Sequence, residues 1–317
     1  MTIADLAKTL SDTKRLGLTG DLAGKLRLAE TDVTLARLQA RVTEERGFVA
    51  IHLVGVWIED CRDLVGNGEV YWWSIPMLGD DTGKIRWNPL CGLPSGAAPR
   101  SVGSKAWLGS VSLADPPLLA VAPPDDDIAA CIVRVGFYED DWAPAKLGPA
   151  LGKGLEKLAE ASLPAPDIDA FAKPIRDAIF GSLKANQDDY ILEKDLKFLR
   201  EEGFGFGAGG ITTALTEYGR VYVLSRDVDR TETCGPYAMV RGQTQRVLFP
   251  STLERAGKLT IFARGSVTVN PFGTIDDAKP YLDVAIDQQK AATLGAGFDV
   301  QADTDAEVCA WYTPPRA

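Results

Sequence analysis

From Phe48 to Ile58 nearly every side chain is apolar and many are β-branched, the pattern of a buried strand. Val70 to Met77, with Trp72 and Trp73, repeats that character, and Trp107–Leu113, Leu118–Ala122 and Ile128–Tyr138 follow. Residues 78–104 between them are rich in Gly, Pro and Asp and read as a long loop. Short strands separated by turn signals predict an antiparallel sandwich.

Two stretches break this pattern. Residues 1–46 have helical spacing at Leu35, Leu38 and Val42, with Gly47 at the place of a C-terminal cap. Residues 143–187 carry Leu147, Leu151, Leu155 and Leu158 at helical intervals, are interrupted by Pro164 and Pro166, and resume from Ile168 to Leu183. They predict a helical hairpin inserted between strands. Strands return at Ile211–Leu215 and Arg220–Val228 around Glu217-Tyr218-Gly219. A last β-rich stretch predicts strands at Tyr237–Phe249, Lys258–Asn270, Tyr281–Asp287, Phe298–Ala302 and Ala306–Tyr312. The expected organisation is a helical segment (1–46), a sandwich with its helical insert (47–228, insert 143–187) and a small C-terminal β-sandwich domain (229–317). The fold class is mainly β.

Composition narrows the function classes. The chain has 317 residues and a net charge of −10, which disfavours binding to a nucleic-acid backbone. Its five cysteines, Cys61, Cys91, Cys131, Cys234 and Cys309, are scattered without CxxC spacing and read as reduced thiols of a cytoplasmic protein. The first residues show no basic region followed by an apolar one, so no signal peptide is expected. Release by a non-classical route or by lysis is compatible with that. No apolar run reaches the roughly 18 residues that a membrane helix needs.

Candidate chemistry lies in acidic loops. Asp63-Leu64-Val65-Gly66-Asn67-Gly68-Glu69-Val70-Tyr71 joins two strands, Phe137-x-Glu139-x-Asp141 closes a later one, and Asp188-Asp189-Tyr190-Ile191 follows the helical insert. Crowded carboxylates repel one another unless a cation separates them, and calcium takes about six to eight oxygen ligands, many of them carboxylates. The first motif resembles the first calcium loop of the C-two domains, named for the second conserved region of protein kinase C. The second resembles the entry to that family's third loop, where Asp-x-Asp is usual, and the third resembles the Asp-Asp-Phe-Ile that closes it. Glu69 and Glu139 stand where the family carries aspartates, Val70 where it carries proline, and Leu192 where it carries glycine. The resemblance covers roughly 48–228. It implies calcium as cofactor, with Asp63, Glu69, Glu139, Asp141 and Asp189 as metal ligands, and anionic membrane lipid as partner. Trp142, beside Asp141, then either enters a membrane interface or anchors its loop.

Other constellations are weaker. Gly205 to Gly210 satisfies GxGxxG formally but lacks the flanking strand and helix of a dinucleotide site. His52 is the only histidine, so a Ser-His-Asp or Cys-His set would have to use it, and nothing places a nucleophile beside it. The helix from Ala143 to Ala161 has an apolar face for a membrane or for the sandwich itself. Acids from Asp276 to Asp305, with Trp311 and Tyr312, give the C-terminal unit the composition of a sugar-binding sandwich.

The expected function is that of a non-enzymatic protein binding membrane lipid or another anionic surface through calcium. The alternatives are a structural or assembly scaffold that self-associates as a homo-oligomer or holds a protein partner, and a carbohydrate-binding module in residues 229–317.

Overall fold

The structure is a computed structural model. It describes residues 49–62, 66–81, 85–86, 95–122, 128–139, 190–205, 210–228, 230–249 and 257–314. The expected helical segment 1–46 and the whole of the expected insert 143–187 lie outside these residues.

Ten strands build a first sandwich: β1 (Val49–Ile58), β2 (Gly68–Gly79), β3 (Ile85–Arg86), β4 (Ser95–Val102), β5 (Ala106–Trp107), β6 (Leu118–Ala122), β7 (Ala130–Glu139), β8 (Tyr190–Leu199), β9 (Ile211–Leu215) and β10 (Gly219–Asp227). One sheet runs β5-β1-β10-β9 with β6 beside β1, and the other runs β3-β2-β7-β8 with β4 beside β2. The second sandwich comprises β11 (Glu232–Met239), β12 (Thr244–Leu248), β13 (Gly257–Arg264), β14 (Val267–Asn270), β15 (Gly273–Ile275), β16 (Tyr281–Ile286), β17 (Gly297–Ala302) and β18 (Ala306–Thr313), with helix α1 (Gln288–Leu294) between β16 and β17. Its sheets are β11-β18-β13-β16 and β12-β17-β14-β15. All of these strand pairings are antiparallel, so the mainly β sandwich reading is correct.

The four sheets stack as layers. Ile51, Leu53, Val56 and Ile58 of β1 meet Val70, Trp72, Val133, Val135 and Phe137 in the first core. Leu259, Ile261, Val308 and Ala310 meet Val269, Phe298 and Val300 in the second. A third cluster joins the sandwiches: Val54, Trp57, Tyr222 and Leu224 of the β1 sheet pack on Phe262, Cys309 and Trp311 of the β18 sheet. That explains β1, whose ten residues are all buried: both of its faces are covered. A register shift between Leu53 and Gly55 presents Val54 and Gly55 together to the second sandwich.

Four expectations are corrected. Residues 78–104 are not one long loop, because they contain β3 and β4. Strand β4 pairs with β2 across a register shift, and Pro99 lies within that irregularity, where its missing N–H costs no ladder bond. The strand from Trp107 stops at Trp107 itself, which pairs with Trp57 before the chain turns at Leu108. Tyr237–Phe249 and Lys258–Asn270 are each two strands, cut at Gly242 (φ 83°) and Gly265 (φ 93°). In both, the chain passes from one sheet of the second sandwich to the other. Strand β8 was not anticipated from the charged run Glu193-Lys194-Asp195.

Candidate functional site

Strand register decides which loops meet. Val70 at the start of β2 pairs with Glu139 at the end of β7, and Tyr138 pairs with Tyr190 at the start of β8. Ile58 at the end of β1 pairs with Gly219 at the start of β10. The strand ends that flank the three acidic motifs therefore share one end of the first sandwich, together with the 216–218 turn.

Glu139 lies at the base of this end. Its side chain is directed between the sheets and it is 4% exposed. Its Oε1 accepts the Glu69 N–H at 3.3 Å. Gly68 makes room for it, since a Cβ there would lie 2.9 Å from the Glu139 Cγ and 2.9 Å from the Cys61 carbonyl oxygen. Cys61 is fixed in turn by Ser104, whose Oγ accepts the Cys61 N–H at 3.1 Å.

Glu69 behaves differently. Side chains alternate across a strand, and Gly68 and Val70 are buried while Glu69 is exposed. The carboxylates of Glu69 and Glu139 thus leave opposite faces of the sheet, although the Glu69 backbone touches Glu139. Asp63, Asp141 and Asp189 lie outside the described residues. Among the described residues no group of three or more His, Cys, Asp or Glu side chains is arranged to hold a metal ion. Of the five expected ligands, Glu139 is the one described side chain directed inward at this end, a buried carboxylate with one oxygen set by a backbone donor.

The stem of the first acidic loop is well ordered by contacts. Glu59 and Asp60 donate their N–H groups to the Tyr218 carbonyl at 2.9 and 3.2 Å. Asp60 Oδ1 accepts the Arg62 N–H at 2.9 Å. Arg62 adopts φ 65°, a left-handed conformation that non-glycine residues avoid, and its guanidinium lies 4.2 Å over the Tyr218 ring. A hydrogen bond to Glu217, then burial, raise the Tyr218 phenol above its ordinary value of 10.0, against the lowering effect of Arg62.

Sequence reasoning missed a polar cluster on the far face of the β2 sheet. Arg134 donates from Nε and Nη2 to Asp195 at 2.6 and 2.8 Å and lies 3.6 Å from Glu193. Tyr138 donates to Glu193 at 2.7 Å. The available signal was the alternation of Glu193 and Asp195 in a strand that also carries Lys194 and Lys197. The cluster ties β7 to β8. His52 is engaged at both ring nitrogens: Nδ1 lies 3.1 Å from the Pro116 carbonyl and Nε2 accepts from Arg226 Nε at 3.1 Å. In the glycine-rich stretch Gly203 and Gly205 take φ 61° and 91°, and Phe204 between them is buried in the first core, while 206–209 lie outside the described residues. Among the described residues, no helix is long and apolar enough to cross a membrane.

No known family's profile and no curated protein matches the chain. Among solved structures it is similar to human GIVD cytosolic phospholipase A2 in complex with methyl gamma-linolenyl fluorophosphonate inhibitor and terbium chloride, at 6% identity and a TM-score of 0.27 over 85% of this chain and 32% of that one. Human GIVD cytosolic phospholipase A2 without those additions gives 8% identity and a TM-score of 0.26 over 83% of this chain and 32% of that one. The chain spans about a third of the length of these structures. At such scores the likeness carries no argument about fold or activity.

Proposed function

We propose that this is a non-enzymatic binding protein whose acidic loop end, C-two-like in its motifs, takes up calcium and uses it to bridge to an anionic surface, membrane lipid first. The observation that carries this reading is the register of β2, β7 and β8. Pairing Val70 with Glu139 and Tyr138 with Tyr190 brings three acid-bearing connections to one end of one sandwich. A scattered set of solvated acids has no reason to share an end.

Glu69 directs its carboxylate to the other face and drops out as a partner of Glu139. Asp63, Asp141 and Asp189, with Glu139 at the base, are the carboxylates that supply oxygen to a hard cation. Their negative charges repel phosphate when the cation is absent and recruit it through the cation when present. Sedimentation with vesicles of phosphatidylserine and phosphatidylcholine tests the reading. The 317-residue chain should pellet with them in millimolar calcium and remain in solution with a chelator. Equal pelleting under both conditions would contradict it.

A further inference from the structure

His52 is the one histidine of the chain, and in the fold it is 8% exposed. Ile51 and Leu53 on either side of it point into the first core, so alternation along β1 turns His52 to the face that meets the second sandwich. Its partners place its proton. The Pro116 carbonyl, 3.1 Å from Nδ1, can only accept, and the Arg226 guanidinium, whose Nε lies 3.1 Å from Nε2, can only donate. The ring is therefore neutral, with its hydrogen on Nδ1 and a lone pair on Nε2. A second proton would set N–H against N–H and positive charge against positive charge.

Both partners belong to the contact between the sandwiches. Pro116 lies in the 108–117 connection, where Leu113 packs into the cluster that joins the sandwiches and the Val111 carbonyl accepts Arg264 of the second sandwich at 2.6 Å. Arg226 lines a cleft between the sandwiches together with Lys258, Trp311 and Thr313. Burial, against the pull of Asp283, already holds the Lys258 ammonium below its ordinary range, so this cleft disfavours further positive charge. Cys309, in the field of Arg226, is a neutral thiol raised to about 12, chiefly by burial. Two carboxylates lie close in sequence. Asp227 follows Arg226 on the opposite face of β10 and takes Arg230, and Asp115 is exposed beside Pro116.

We infer that His52 is a proton-sensitive latch on the contact between the sandwiches: neutral, it ties the 108–117 connection to Arg226, and protonated, it drives the guanidinium off and loosens that contact. In an unfolded chain a histidine takes up its proton near pH 6.5, about the middle of the physiological range. The folded geometry resists that proton and the unfolded chain does not. The contribution of His52 is therefore complete well above about pH 6.5 and is lost as the pH falls below it.

The test compares the 317-residue chain with His52→Gln, whose amide can donate to Pro116 and accept from Arg226 at any pH. Urea denaturation midpoints are read between about pH 7.5 and about pH 5.5, above the range in which ordinary carboxylates titrate. The wild-type midpoint should fall across this window, and His52→Gln should lose that fall. Native-state emission of the interface tryptophans Trp57, Trp107 and Trp311 should shift to the red on acidification in the wild type and stay in place in the variant. Nitrogen NMR of the single imidazole in the wild type should find its hydrogen on Nδ1 at about pH 7.5, a readout that holds even if the variant fails to fold. An equal midpoint fall in both proteins, or a hydrogen on Nε2, would overturn the inference. A midpoint fall with unchanged native emission would place the effect outside the contact and overturn the latch as well.

Discussion

Gly55 and Phe262 meet across the two sandwiches so closely that a Cβ on Gly55 would lie 2.6 Å from the Phe262 Cζ. Trp107 Cζ3 would be 3.0 Å away on the other side. Phe262 is fully buried and wedged edge-on against Trp107 and Tyr222, so the ring has little room to yield. Gly55→Ala should therefore destabilise the protein by about 1–3 kcal/mol, the usual cost of overpacking. Chemical denaturation reads this directly, and a midpoint equal to wild type would show that the sandwiches separate easily at this point.

Arg264 should be the costliest polar residue of the interface. Its Nη2 donates to the Val54 and Val111 carbonyls at 3.1 and 2.6 Å, and Nη1 lies 3.5 Å from Glu307. Arg264→Ala strands two carbonyls of the first sandwich and leaves Glu307 without that cation. A loss of about 1–3 kcal/mol for each buried carbonyl left without its donor follows. In a double-mutant cycle with Glu307→Ala the losses should fall short of the sum, and strict additivity would contradict the pairing.

An isolated 229–317 fragment should self-associate. Phe262, Cys309 and Trp311 form the face that meets the first sandwich, and each is no more than 3% exposed in the full chain. Freed of the first sandwich, that face is a contiguous apolar patch of the kind that drives association. Size-exclusion light scattering should report species larger than a monomer for the fragment. A well-behaved monomer would mean that the interface is dispensable for solubility.

Stability should decline in alkali with a defined sign. Burial raises the Cys234 thiol from 9.0 to about 11 and the Cys309 thiol from 9.0 to about 12. The unfolded chain then releases these protons at a lower pH than the folded protein does. Their contribution is complete below pH 9.0 and is lost as the pH rises through about 11 and about 12. Tyr222 and Tyr237, whose phenols burial also raises, add the same sign. Denaturation midpoints at about pH 8 and about pH 10.5 should fall in that order, and a flat profile would contradict the burial of these groups.

Much of the fold could be read from apolar runs, and the exceptions have physical causes. Strands Leu118–Ala122 and Ile211–Leu215 match their expected bounds, and β1, β7, β10, β17 and β18 fall within a few residues of theirs. Strand β4 was invisible because Gly96, Ala97, Ala98 and Pro99 have little β preference, and only the register of β2 reveals it. Strand β8 was hidden by Glu193 and Asp195, acids that are tolerated because Arg134 lies opposite. Helix α1 is announced by Asp287, which caps Lys290 N at 2.7 Å, a signal absorbed into the preceding strand pattern. The gathering of the acidic motifs required strand pairing, which no local pattern encodes. That Glu69 and Glu139 leave opposite faces of the sheet required the register as well.

Calcium titration of the 317-residue chain by calorimetry, with the thermal midpoint followed in parallel, tests the central claim most directly. The account predicts saturable binding that raises the midpoint, by about 2.7 kcal/mol of added stability at a hundredfold excess over Kd, and that disappears in Asp63→Asn/Asp141→Asn while persisting in Glu69→Gln. No heat and no midpoint shift at millimolar calcium would contradict it.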